Sequence, residues 1–171
     1  MLSEPDVLEL LDLLAGAGVT AWVDGGWGVD ALVGGTTRAH ADLDLVVLLD
    51  QLDMVRTVLA GAGFTEVARD WLPTALAVVD DDGREVDLHP ITGSSGEGGH
   101  QLLPDGERFH YPPPATGTIG GREVRCVDAV TQVLCHLGYK PAEKDRRDMA
   151  RLHASTGVAL PKEYLVPPAE D

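Results

Sequence analysis

Asp42-Leu43-Asp44 stands at the entrance of an apolar run covering residues 43–49, and Asp87 lies in a second such pattern, Glu85-Val86-Asp87-Leu88. Strand residues i and i+2 point the same way, so Asp42 and Asp44 present two carboxylates on one face, roughly 6–7 Å apart along the backbone. Asp87 on a neighbouring strand adds a third, giving an all-oxygen set suited to Mg²⁺ rather than zinc. Such a set binds magnesium weakly alone and recruits it with the phosphates of a nucleotide. The chemistry implied is phosphoryl or nucleotidyl transfer, in which one ion holds a triphosphate and a second aligns an acceptor hydroxyl with the α-phosphorus. Gly25-Gly26, placed before a helix, lets backbone N–H groups approach a phosphate near the positive end of the helix dipole. Taken singly, a D-x-D pair reads more readily as solvated turn residues and a glycine pair as a plain turn. Their order is the more specific signal: strand, glycine pair, helix, loop, D-x-D strand, later Asp.

The elements that must hold these residues follow from periodicity and breakers. Ser3 and Asp6 form a capping-box pattern, after which Val7, Leu10, Leu11 and Leu14 recur at helical spacing until Gly16 and Gly18. Residues 20–23 read as a short strand, Gly25-Gly26 as a turn, and 27–33 as a helix ended by Gly34-Gly35. The strand over 43–49 leads to a helix marked by Leu52, Val55, Val58 and Leu59. Strands are expected over 64–68, 74–79 and 84–89, the last two joined by a solvated turn, Asp80-Asp81-Asp82-Gly83. Residues 90–114, rich in Gly, Pro and Ser, are too long for an idle connector and are expected to shape a binding site. Ile119-Gly120-Gly121-Arg122 reads as a tight hairpin turn. Val127, Val130, Val133, Leu134 and Leu137 mark one amphipathic helix, residues 142–153 a second, and the last ten residues a loosely held tail. The expected fold is α/β (α+β): a mixed twisted sheet of about five strands flanked by helices. A catalytic core would span residues 1–125, with a short helical C-terminal part and tail over 126–171. So small a C-terminal part leaves room for a second copy of the chain, in a homodimer, to cover the cleft.

At 171 residues the chain is one domain, or one with a short appendage. Thirteen Lys and Arg against 28 Asp and Glu leave a net charge of −15, which disfavours long nucleic acid and suits a cationic small molecule. No run approaches the roughly 18 apolar residues of a membrane span, and Met1-Leu2-Ser3-Glu4 has no signal-peptide pattern, so a cytoplasmic location is expected. Cys126, at the end of a strand, and Cys135, in a helix, lack CxxC spacing; reduced thiols are expected.

The chain resembles the nucleotidyltransferases of the DNA polymerase β superfamily. More narrowly, four runs are similar to the small antibiotic nucleotidyltransferases, a group that includes lincosamide nucleotidyltransferases and aminoglycoside 2''-adenylyltransferases. They are residues 22–32 (WVDGGWGVDAL), 37–44 (TRAHADLD), 86–91 (VDLHPI), and Gly138-Tyr139 with Glu143-Lys144-Asp145. The similarity spans roughly residues 20–155, and the D-H-P-I and G-Y…E-K-D pieces look closer to the lincosamide branch.

The resemblance implies roles. Asp42 and Asp44 would hold Mg²⁺, with Asp87 as third ligand or as general base toward the attacking hydroxyl. Gly25 and Gly26 would cradle the triphosphate of ATP or another NTP; where polymerase-β-like enzymes often carry a serine, Gly26 leaves only backbone donors. Arg38 and Lys144 are the bases expected on the triphosphate, against plainer readings as a partner of Asp30 and as an exposed helix residue. His40 and His89 flank the carboxylates, either orienting them or helping a proton transfer, against the plainer reading as hydrogen-bonded structural histidines. Of Trp22, Trp27 and Trp71, only Trp27 is expected near the site. Asp24 either caps the helix or touches substrate, and Tyr139 either lines the pocket or packs. The implied reaction moves a nucleoside monophosphate to a hydroxyl of a small cationic antibiotic, releasing pyrophosphate. A lincosamide is favoured as acceptor and an aminoglycoside is second, the choice resting on residues 69–75 and 92–116. A transferase acting on tRNA or protein would show a basic docking stripe, which is absent. A non-catalytic nucleotide-binding or antitoxin-like protein would lack one of the carboxylates, and all three are present.

Overall fold

The structure, a computed structural model, describes residues 1–165. Of the expected tail, residues 166–171 lie outside the described residues, and Lys162–Leu165 form a short helix. Helix α1 (Glu4–Gly16) starts at the expected capping box: the Ser3 side chain accepts from the Asp6 N–H, and Asp6 accepts from the Ser3 N–H. Strand β1 (Ala21–Val23) leads directly into α2 (Gly25–Val33), which begins two residues earlier than the sequence suggested because Asp24 caps it. Gly34, in the left-handed conformation at φ 84°, ends it. Then come β2 (Asp42–Leu48), α3 (Leu52–Gly61), β3 (Glu66–Trp71), β4 (Ala75–Val79) and β5 (Glu85–Ser94). They are followed by β6 (Gly98–Leu102), β7 (Arg108–Tyr111), β8 (Ala115–Ile119) and β9 (Arg122–Cys126), and by helices α4 (Ala129–Cys135) and α5 (Glu143–Thr156).

The sheet has nine strands where about five were expected. Seven follow the order β3-β4-β5-β2-β1-β9-β8, and β6 and β7 continue from the far end of β5. The segment over 90–114, read as irregular, supplies the end of β5 together with β6 and β7. Its glycines hid it, since Gly is depleted in strands, yet they are what lets two backbones approach. A Cβ added to Gly93 would fall 2.0 Å from the Gly98 carbonyl oxygen. The expected turn at 80–83 is present, but Asp80 is not a solvated residue: its side chain is 6% exposed and pairs with Arg84.

Alternation along β2 decides which face carries chemistry. Leu43, Leu45 and Val47 point into the main core, where Val7, Leu10 and Leu14 of α1 and Val55 and Leu59 of α3 cover them. Val86 and Leu88 of β5 do the same beside them. The opposite face carries Asp42, Asp44, Val46 and Leu48, the last two packed with Trp22, Ile91, Tyr111 and Val127 in a second cluster. A third cluster, Val29 with Val133, Met149 and Leu152, fastens α4 and α5 to α2. Val130 and Leu134, read from the sequence as core positions of α4, are instead exposed.

Candidate active site

Strands β2 and β5 run parallel with Asp44 directly opposite Asp87 and Asp42 opposite Glu85. The register therefore sets Asp42, Asp44 and Asp87 on the same face of adjacent strands. Burial pushes the Asp42 carboxyl up, and the charges of Asp44 and Asp87 push it further. The three are not yet closed into a cage: among the described residues, no three acidic, His or Cys side chains are gathered tightly enough to enclose an ion. Two of them have partners of their own. Arg69 of β3 donates to Asp87 Oδ2, and to Glu85 Oε1 at 2.7 Å. His89 Nε2 sits 3.3 Å from Asp44 Oδ1.

Asp42 and Asp44 line a cleft of about 580 Å³ together with Gly25, Gly26, Arg38 and Lys144. Asp87, 15% exposed and covered by Arg69, lies beside this cleft rather than on its wall. Gly25 is at φ +56°, and a Cβ there would stand 2.0 Å from Asp44 Oδ2. Gly26 is pressed equally hard: its Cβ would fall 2.3 Å from His40 Nδ1 and 2.8 Å from Arg38 Nη2. Only glycine leaves the backbone of the first turn of α2 bare against the carboxylates.

The loop between α2 and β2 is fastened at two points. His40 Nε2 meets Asp30 Oδ2 at 2.5 Å with both side chains buried, and Thr37 Oγ1 donates to Asp30 Oδ1 at 2.7 Å. His40 is thus a structural histidine, and Asp30, considered as a partner for Arg38, is taken by His40 and Thr37. Arg38 pairs instead with Asp148 of α5, 110 residues away in sequence, at 2.6 Å. Lys144 makes no ion pair among the described residues, and its charge reaches Asp42.

Several cleft residues were underweighted in the sequence. His89 is held at about 9, because the Asp44 hydrogen bond and the charges of Asp44, Asp24 and Asp87 outweigh a burial that opposes its charge. Asp24 both caps and faces the cleft: its Oδ1 accepts from the Gly25 N–H at 2.8 Å and its Oδ2 from the Tyr111 hydroxyl at 3.3 Å. Burial pushes its carboxyl up. Trp27, expected at the site, is buried against His40 with ring centroids 4.7 Å apart, whereas Trp71 is 62% exposed on the cleft rim. The rim is apolar where Trp71, Leu103, Pro104, Phe109, Leu134 and Leu137 meet, and Tyr139 lines it too. Cys126 and Cys135 are both free thiols, pushed up chiefly by burial. No helix among the described residues is long and apolar enough to cross a membrane.

The fold is the one found in antibiotic nucleotidyltransferases. Similar solved structures include a lincosamide antibiotic adenylyltransferase, LnuA, bound to lincomycin, at TM-score 0.80 and 28% identity, covering 91% of this chain and 99% of that one. The aminoglycoside enzyme ANT(2'')-Ia, in complex with adenylyl-2''-tobramycin, shares the fold at TM-score 0.71 and 19% identity, covering 89% and 88%. A family model for aminoglycoside-2''-adenylyltransferases matches residues 6–152, and the chain belongs to that family. A lincosamide resistance protein of Staphylococcus haemolyticus is 28% identical over 156 residues, 90% of this chain and 96% of its relative. A 2''-aminoglycoside nucleotidyltransferase of Escherichia coli is 31% identical over 108 residues, 61% of this chain and 56% of that protein.

Proposed function

We propose that this enzyme transfers a nucleoside monophosphate from ATP, or another NTP, to a hydroxyl of a lincosamide, releasing pyrophosphate, with Asp42, Asp44 and Asp87 as its central residues. The observation that carries this reading is the parallel pairing of Asp44 with Asp87 beside the bare backbone of Gly25. Asp42 and Asp44 bring hard carboxylate oxygens to the cleft wall, with space beside them for phosphate oxygens, the kind of donors Mg²⁺ takes. Bound there, Mg²⁺ would supply charge neutralisation of the triphosphate and of the departing pyrophosphate.

The chain's own residues account for the rest. Gly26 and the first turn of α2 bring backbone donors to the phosphates, while Arg38 and Lys144 add positive charge on the same side. Asp87, one oxygen held by Arg69, keeps Oδ1 without a protein partner among the described residues and takes the proton of the attacking hydroxyl. The acceptor oxygen bonds to the α-phosphorus as the bond from that phosphorus to the pyrophosphate oxygen breaks.

The apolar rim favours a lincosamide over an aminoglycoside. A polycationic sugar needs carboxylates on every side, whereas the wall built by Trp71, Leu103, Phe109 and Leu134 suits an acceptor with one amine and an alkyl part. The acidic chain, at −15, attracts either cation. An aminoglycoside acceptor remains the second reading because of the family match. Incubation with each NTP, Mg²⁺, and lincomycin or tobramycin, followed by mass spectrometry of the antibiotic, separates the two. A nucleotidyl adduct on lincomycin is expected; an adduct on tobramycin alone, or none, overturns the reading.

A further inference from the structure

Asp148 takes no part in the chemistry above, yet at 2% exposure it is among the most deeply buried carboxylates in the chain. It sits on α5 and grips Arg38 from the side. Arg38 Nε donates toward Oδ1 and Oδ2 at 3.2 and 3.1 Å, and Nη2 donates to Oδ2 at 2.6 Å. Nη1 donates to the Ala39 carbonyl at 3.0 Å. A guanidinium has five N–H groups. With Nε, one Nη2 and one Nη1 hydrogen used, one remains on each terminal nitrogen. Nη2 lies 2.8 Å from the place a Gly26 Cβ would occupy, so its unspent donor stands beside Gly26 at the first turn of α2.

We propose that Asp148 is a positioning residue for the nucleotide. Held side-on by the buried carboxylate, Arg38 turns its two remaining N–H groups to the phosphates of the NTP. This rests on the reading of Gly25-Gly26 and Arg38 as the phosphate site. Two effects of Asp148 oppose each other. Its charge offsets that of Arg38, so a purely electrostatic role predicts tighter phosphate binding when it is removed. Its fork fixes a flexible side chain in the one orientation that presents paired donors, so an orienting role predicts weaker binding. Orientation dominates here, because the pair is bidentate, buried at the carboxylate, and anchored a second time through Ala39.

The test is calorimetric titration with α,β-methylene-ATP and Mg²⁺, and separately with lincomycin. Asp148→Asn should weaken the nucleotide on the order of tenfold and leave lincomycin affinity unchanged. Arg38→Gln combined with Asp148→Asn should bind nucleotide no more weakly than Arg38→Gln alone. Unchanged or tighter nucleotide binding by Asp148→Asn overturns the proposal, as does full additivity in the double variant. Should Asp148→Asn fail to fold, Arg38→Lys carries the test: it keeps the charge but cannot form the side-on fork, and wild-type nucleotide affinity in that variant overturns the orienting role. A wild-type protein that binds no nucleotide overturns the phosphate-site reading and the proposal with it. Equal binding by wild type and Asp148→Asn, with weaker binding by Arg38→Gln, removes only the positioning role.

Discussion

Gly25→Ala separates backbone strain from damage to the site. Gly25 has φ +56°, and its added Cβ would lie 2.0 Å from Asp44 Oδ2, against an ordinary contact of at least 3.4 Å. The carboxylate must therefore retreat by about 1.4 Å, or the first turn of α2 must move by a comparable amount. The left-handed conformation alone costs a non-glycine residue roughly 1–2 kcal/mol. In a chain of this length that lowers the unfolding temperature by about 2–8 °C. Displacing a reacting group by about 1 Å costs on the order of a hundredfold in rate. Gly157→Ala is the control: Gly157 has φ +74° at the end of α5, and nothing lies within 4 Å of its Cβ position. Both variants should lose thermal stability by scanning calorimetry, Gly25→Ala at least as much as Gly157→Ala, while only Gly25→Ala loses transfer, by about a hundredfold or more. Near-wild-type turnover in Gly25→Ala would refute the contact between the cradle and Asp44 as a catalytic constraint.

Further expectations rest on separate features. Asp87→Asn should slow the chemical step far more than it weakens nucleotide binding, measured by single-turnover quench against calorimetric affinity; equal losses would make Asp87 chiefly a ligand. Without nucleotide or Mg²⁺, His89 links stability to pH. Its folded pKa of about 9 lies above an ordinary histidine value near 6.5, so its contribution is complete below about pH 6.5 and is lost as pH rises through 9. His89→Gln should flatten the decline of the unfolding temperature across that window, and an unaltered decline would contradict the Asp44 contact. Leu45→Ala, at a fully buried β2 position, should cost about 2–5 kcal/mol in urea unfolding. A cost under about 1 kcal/mol would mean the main core does not close over β2 as described. Trp71→Ala should raise the KM for lincomycin severalfold with the nucleotide KM unchanged, and a change confined to the nucleotide would remove Trp71 from the acceptor side.

The parts of the fold legible in the sequence were those written in local patterns. The capping box at Ser3 and Asp6, the Gly34 stop of α2 and the alternation around Asp42 and Asp44 each follow from short-range rules, and each is present. The hairpin of β8 and β9 was legible from its turn at Ile119-Gly120-Gly121-Arg122. The strands missed, β6 and β7, lack a β-branched run, and β6 opens on Gly98-Gly99, glycines whose purpose is visible only once two backbones are paired. Long-range partners were least legible. Nothing near Arg38 in sequence announces Asp148 across 110 residues, and nothing near Asp87 announces Arg69. Trp27 and Trp71 were exchanged for a similar reason: adjacency to the glycine pair suggested the first, but α2 turns that ring inward onto His40. The end of β3, whose place depends on the sheet order, carries the second to the cleft.

The most direct measurement is single-turnover transfer of label from α-³²P-ATP to lincomycin with Mg²⁺, comparing wild type with Asp44→Asn. That substitution keeps the shape of the side chain and removes its charge from the face shared with Asp42 and Asp87. Labelled antibiotic should accumulate with the wild-type enzyme and not with the variant. Comparable labelling by both would contradict the carboxylate site as the seat of the reaction.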